Sequence, residues 1–201
     1  TWAPPPSGRA SLVALERVRD DDDVIALRLE ELLADGGCAL VVRNTVKAAR
    51  RTAEVLRRRL PMQVECHHAR FLAGDRQGND ERLLSQFGHP SLLAERGSIR
   101  PTRAVVVATQ VAEMSLDVDF DVLLTDLAPM DAIVQRIGRC HRHQRPRPHG
   151  LADARCIVIT DLAVDAPPRL SRGSVAVYGM ALLLATAAQL EPRFGNSLRL
   201  P

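Results

Sequence analysis

Lysine is nearly absent from this chain: Lys47 is the only one among 27 lysines and arginines. Codon usage alone can produce that bias, but it leaves many planar guanidinium donors suited to phosphate. No Gly-rich loop precedes Lys47, so a G-x-x-x-x-G-K-[ST] phosphate cradle is excluded, and with it a hydroxyl placed for Mg²⁺. The four cysteines, Cys38, Cys66, Cys140 and Cys156, never fall within four residues of one another. That excludes a CxxC redox pair and a zinc knuckle. Three of them sit inside or beside apolar runs and read as small core residues, in a reducing, cytoplasmic setting. No apolar run approaches the ~20 residues of a membrane helix. The richest stretch, Val175 to Leu190, is interrupted by Gly179, Thr186 and Gln189 and reads as one buried helix. The start, Thr1-Trp2-Ala3-Pro4, shows no basic-then-apolar targeting pattern. It also lacks an initiator Met, so the chain reads as a fragment of something longer.

The 201 residues, 46% hydrophobic and 25% charged, suit one folded domain with a real core. The net charge of +3 is mild, but its distribution is uneven. No acid occurs between Asp131 and Asp153, a window that holds Arg136, Arg139, Arg142, Arg145, Arg147, His141, His143 and His149.

The apolar pattern alternates between short continuous runs and helical spacing. Ser11 to Arg19 and Val24 to Leu33 look helical, with the acids of 20–23 placed to cap the second helix and Gly36-Gly37 to close it. Cys38 to Val42 reads as a strand buried on both faces. Thr45 to Leu60 is an amphipathic helix with Val46, Ala49, Ala53, Leu56 and Leu60 on its apolar face. Met62 to Cys66, Arg103 to Ala108, Asp121 to Thr125 and Cys156 to Thr160 read as further strands. Asp80 to Phe87 and Met130 to Arg139 are helical, and Gly88 to Pro101 is a loop. Strands alternating with helices predict an α/β fold with a parallel sheet. The chain divides into a lead-in at 1–37, a main α/β unit at 38–165, and a linker with the start of a helical region at 166–201.

In parallel α/β sheets, ligands bind at the carboxyl ends of the strands. Arg43-Asn44-Thr45, His67-His68, Arg70, Thr109-Gln110 and Asp126 all follow strands, which suggests one ligand rim. Asn44 and Thr45 read equally as caps of the helix that follows. Asp119 and Asp121 read as turn or pairing residues. Asp126 and Asp131 suggest a carboxylate pair for a metal, but nothing else completes such a site, and no metal ligand set is expected. The sharpest signal is Gln135-Arg136-x-Gly138-Arg139-x-x-Arg142. Two guanidinium forks three residues apart suit a triphosphate, where charge develops on the γ-phosphoryl group.

Q-R-x-G-R-x-x-R resembles motif VI of superfamily 2 helicases. Ala108-Thr109-Gln110-x-x-Glu113-x-Ser115-Leu116-Asp117 resembles their motif V, and Leu40 to Thr45 their motif IV. Together these imply the second RecA-like domain, a parallel sheet flanked by helices, over roughly 38–160. Two variants depart from most of the superfamily, which has Gly where Ser115 stands and Gly-Arg where His141-Arg142-His143 stands. These variants, with Asp119-Phe120-Asp121, Thr125-Asp126-Leu127-Ala128-Pro129 and His68-x-Arg70-Phe71 followed by Asp75-Arg76, are similar to the helicase-nuclease of type I CRISPR interference. That family usually has Ser where Ala69 stands. Val177-Tyr178-Gly179 resembles its link to the C-terminal region.

The resemblance implies that Arg139 and Arg142 are arginine fingers for a γ-phosphate, with Gln135, Arg136 and Asp117 beside the nucleotide. It places Arg43, Asn44, Thr45, His68, Arg70 and Thr109 along single-stranded DNA. ATP, with Mg²⁺ held mainly by a first motor domain, is the implied cofactor. That domain, a nuclease domain and a CRISPR surveillance complex are the implied partners, with no membrane. The nuclease motifs are absent here, so the chain alone is expected neither to hydrolyse ATP nor to cut DNA. Two other readings stand beside this one: a RecA-like docking module without catalysis, and half of an RNA helicase.

Overall fold

The computed structural model describes residues 12–68, 73–112, 116–161 and 169–200. Seven strands form one sheet: β1 (Leu12–Val18), β2 (Gly37–Val42), β3 (Gln63–His67), β4 (Arg103–Ala108), β5 (Val122–Asp126), β6 (Arg155–Ile159) and β7 (Ser197–Arg199). Their order is β3-β4-β2-β5-β6-β1-β7, all parallel except β7, which pairs antiparallel with β1. The helices are α1 (Asp22–Leu32), α2 (Val46–Arg59), α3 (Ala73–Phe87), α4 (Pro90–Glu95), α5 (Met130–Ile137), α6 (Arg172–Tyr178) and α7 (Met180–Leu190).

Successive strand residues point to opposite faces, so a continuous apolar run feeds two cores. Cys38, Leu40 and Val42 pack with Phe87 of α3, Ile133 and Ile137 of α5, and Leu183 and Leu190 of α7. Ala39 and Val41 pack on the other face with Ile25 and Leu29 of α1 and Ala49, Ala53 and Leu56 of α2. Each fully buried leucine contributes roughly 1.5–3 kcal/mol, which is why the amphipathic face of α2 locks onto the sheet.

Helix ends follow local chemistry. Asp21 caps α1, accepting from the Asp23 and Val24 amides, and Thr45 caps α2, accepting from the Ala48 amide. Gly36 and Gly37 lie at φ +104° and +113°, a region that disfavours side chains.

The structure corrects three sequence expectations. Residues 12–18 form a strand rather than part of a helix over 11–19, and β1 is flanked by β6 and β7. The stretch 88–101 is not all loop: Pro90 starts the short helix α4, with the His89 ring capping it. The apolar stretch 175–190 is two helices, bent by 106° at Gly179, whose φ is +80°. The sheet draws strands from all three stretches into which the sequence divides, since β1 and β7 lie outside 38–165. No single helix among the described residues is long and apolar enough to cross a membrane, although α6 and α7 together pass by length and composition.

Candidate functional site: two ends of one sheet

α5 leaves the carboxyl end of β5 and runs back along the sheet, as a helix after a parallel strand must. Its eight residues span about 12 Å. The turn that follows therefore lies at the amino ends of the strands. There the Phe120 amide donates to the Arg139 carbonyl, and the His141 amide to the Phe120 carbonyl. The strand-exit residues and the Arg139–Arg142 turn thus lie at opposite ends of the sheet.

At the amino end, the turn from Gly138 to Arg147 is held by buried carboxylates. Asp119, fully buried, pairs with Arg145 at 2.7 Å and Arg147 at 2.8 Å, and accepts from the Arg142 amide at 2.8 Å. Asp121 pairs with Arg147 at 2.6 Å and Arg100 at 2.9 Å, and accepts from the Cys38 amide that opens β2. Burial opposes ionisation of Asp121, but Arg100, Arg147 and the Cys38 amide outweigh it and hold its carboxyl below the usual range. Asp119 and Asp121 are therefore pairing residues, and Arg145 and Arg147 stiffen the turn. His141 adopts φ +50° and places Nε2 3.1 Å from the Asp121 carbonyl. Burial, aided by Arg147, lowers its pKa.

Arg142 donates through Nε to Asp117, which His143 also approaches at 3.3 Å. Partial burial opposes ionisation of Asp117, yet Arg142 and His143 carry its carboxyl below the ordinary value. Arg139 is half-buried on the same turn and Gln135 is exposed on α5. Guanidiniums held on a stiff turn suit a polyphosphate. Without a Gly-rich cradle in the sequence, this edge fits ATP only as one wall of a site.

At the carboxyl end, Arg43 and Asn44 do not face solvent as a simple DNA-contact reading requires: each is only 2% exposed. Arg43 pairs with Asp20 at 2.7 Å and Asp126 at 3.3 Å. The Asn44 amide donates to Asp126, and its side chain donates to the Leu127 carbonyl and the Ser174 hydroxyl, both at 2.8 Å. Burial pushes the Asp126 carboxyl up. This ion pair leaves no free carboxylate pair with Asp131. Thr109 is also buried, its amide donating to the His67 carbonyl. Thr45 and His68 are half-buried on this rim. Arg70 lies outside the described residues, as do 113–115 of the motif V stretch.

Arg136 is the clearest correction. It was expected beside the nucleotide with Arg139, but it is fully buried and reaches toward the carboxyl end. It donates to the Thr125 hydroxyl at 2.7 Å, the Asp126 carbonyl at 3.2 Å, the Asn44 side-chain oxygen at 3.1 Å and the Tyr178 hydroxyl at 2.9 Å. Sequence reasoning missed Ser174 and Tyr178 as members of the hydrogen-bond network beneath this rim, and read Gln110 only as a strand-exit residue. The one available signal was a lone tyrosine in an otherwise apolar stretch.

A parallel sheet with helices on both faces and an arginine-bearing turn after α5 defines a RecA-like helicase C-terminal domain. The structure of the C-terminal domain of the DEAD-box protein Dbp5 shares this fold at TM-score 0.51 and 15% identity, covering 92% of this chain and 87% of that one. The family model for the CRISPR-associated nuclease/helicase Cas3, C-terminal, matches residues 35–145, and the chain belongs to that family. The CRISPR-associated endonuclease/helicase Cas3 of Thermus thermophilus is 46% identical over 136 residues, 67% of this chain and 13% of that protein. The crystal structure of T. fusca Cas3-AMPPNP superposes at TM-score 0.87 with 31% identity, over 99% of this chain and 24% of that one. A chain in a solved CRISPR RNA-guided surveillance complex, pre-nicking, matches at TM-score 0.77 and 30% identity, over 96% of this chain and 24% of that one. The chain thus spans about an eighth of the curated relative and a quarter of the solved chains.

Proposed function

We propose that this chain is the second motor domain of an ATP-dependent single-stranded-DNA translocase acting in type I CRISPR interference. The observation that carries the reading is the two-ended site on one rigid sheet. One end presents Arg139 and Arg142 on a turn stiffened by buried ion pairs, with Asp117 of the segment before β5 paired to Arg142. The other end presents a polar rim at the strand exits. ATP, when bound, supplies the phosphoanhydride whose hydrolysis drives motion. Arg139 and Arg142 are the residues to meet its γ-phosphate, with Gln135 and Asp117 beside them. The first motor domain supplies the phosphate cradle and most of the Mg²⁺ coordination, so the isolated chain has no turnover.

Thr45, His68 and Arg70 are the rim groups proposed to touch the DNA backbone. Hydroxyl, imidazole and guanidinium groups hold phosphates without reading bases. Arg43, Asn44, Thr109 and Arg136 act beneath the rim by fixing its loops. The proposed setting is the cytoplasm, with a nuclease domain and a surveillance complex as partners. The relationship to a chain of a surveillance complex supports the last of these.

The internal engagement of Arg43, Asn44 and Arg136 favours a second reading, a docking module without catalysis. The deciding experiment is single-stranded-DNA-stimulated ATPase activity of the longer polypeptide, wild type against Arg139→Ala. A finger arginine contributes ~10³-fold or more, so the variant should lose nearly all turnover while still binding ATP. Full activity in the variant would replace the motor reading with the docking one.

A further inference from the structure

We infer that α6 is a clip that couples the arginine-bearing turn to the nucleic-acid rim, and that Tyr178 is its central positioning residue. The inference rests on the motor reading above and assigns a role to a helix that reading does not use. Arg136 stands in the last turn of α5 and Arg139 two residues past its end, the Arg139 amide donating to the Arg136 carbonyl at 2.9 Å, so the turn and the helix end are tied together. Their surroundings differ. Arg139 lies on the turn at the amino ends of the strands, whereas the Arg136 guanidinium is buried among the strand exits. Any displacement of the α5 end is therefore felt by the Arg136 hydrogen bonds.

Those bonds converge on α6. The Tyr178 hydroxyl accepts from Arg136 at 2.9 Å and from Gln110 at 3.3 Å. Gln110 also donates to the Asn44 carbonyl at 2.9 Å. The Asn44 side chain receives Arg136 at 3.1 Å and reaches the Ser174 hydroxyl, one turn before Tyr178, at 2.8 Å. One connected set of side chains thus joins the exits of β2, β4 and β5 to α5 and α6. Seating is close: a Cβ on Gly173 would meet the Thr45 methyl at 2.8 Å, so α6 crosses directly over the cap of α2. Tyr178 is the only tyrosine in the sequence, and its hydroxyl is the polar atom that Val175, Ala176 and Val177 cannot provide. Polar networks in a low-dielectric interior are strong when complete and costly when a member is missing. The network therefore moves as a unit, and Tyr178 acts through Arg136 and Gln110 without touching nucleotide or DNA.

The test uses the longer polypeptide and measures single-stranded-DNA affinity with and without a non-hydrolysable ATP analogue. The ratio of the two affinities is the coupling, typically ~5- to 150-fold between linked sites. Tyr178→Phe keeps the ring and removes the hydroxyl. It should bring the ratio to near one while leaving affinity without nucleotide within about twofold. Ser174→Ala, which cuts the second tie to Asn44, should reduce the ratio independently. A wild-type ratio retained in both variants overturns the clip and leaves the motor reading intact, as does a parallel weakening with and without analogue. A wild-type protein that neither binds DNA nor responds to the analogue overturns both.

Discussion

Replacing Asp119 with alanine tests whether buried charge organises the arginine-bearing turn. The carboxylate is fully buried, and it faces Arg145 at 2.7 Å, Arg147 at 2.8 Å and the Arg142 amide at 2.8 Å. The two guanidiniums are only 9% and 8% exposed, so water cannot readily replace their partner. Removing one member of a buried pair costs about 3–5 kcal/mol, because the other charge stays buried without compensation. Arg147 retains Asp121 and the His143 carbonyl, whereas Arg145 retains the Gly88 carbonyl. The expected loss therefore sits near the lower end, about 3 kcal/mol. For a domain of this size that lowers Tm by roughly 6–12 °C. Asp119→Asn keeps an acceptor for the Arg142 amide and should lose less. Urea unfolding of the chain should show a lower midpoint at unchanged slope. A loss below about 1 kcal/mol, the range of exposed ion pairs, would refute the idea that these charges are desolvated.

Two further outcomes follow from the same end of the sheet. Gly37→Ala should destabilise by about 2 kcal/mol or more, because φ is +113° and the added methyl would sit 2.7 Å from Leu151 Cδ1. Gly150→Ala, where nothing lies within 4 Å, is the matched control and should be near neutral by the same urea assay. Stability should also fall as pH drops below about 6.5, the unfolded histidine value. The folded pKa of His141 is lowered by burial, so the unfolded chain takes up the proton first and stability rises with pH across that window. His141→Gln should flatten the difference in urea midpoint between pH 7.5 and 5.5. An unchanged difference would assign it to other groups, such as His143, whose pKa is lowered in the same direction.

Most of the sheet was legible because parallel strands buried on both faces are short continuous apolar runs. The runs at Cys38 to Val42 and Arg103 to Ala108 could hardly be anything else. β1 was not, because Leu12, Leu15 and Val18 fall three apart and mimic a helix face, although their neighbours alternate in burial. β7 has three residues and owes its register to β1, which no local pattern encodes. Gly179 was visible as an interruption, but the largely apolar residues on both sides read as one helix through it.

The residue types of the candidate site were legible in the sequence, while their arrangement was not. Q-R-x-G-R-x-x-R gives the spacing along one helix end, but Arg136 and Arg139 are sent toward opposite ends of the sheet by where α5 begins and stops. The return direction of α5 was available from connectivity alone, and it implies the two-ended arrangement. Tyr178 and Ser174 join the network beneath the rim only through the fold of α6 across it, which depends on contacts far apart in sequence.

The position of β1 also has a kinetic side. Ala14 pairs with Arg155, and Leu12 pairs with Arg199. The first described strand to be synthesised therefore finds its neighbours among the last, and its backbone groups stay unpaired while almost everything between is made. Closing such long loops is slow, and an unpaired strand is a template for pairing with another chain. β2, β4 and β5 can assemble first around a local core. The insertion of β1 between β6 and β7 then becomes the late step that seals the sheet, and during that interval the nascent chain is most exposed to misassembly.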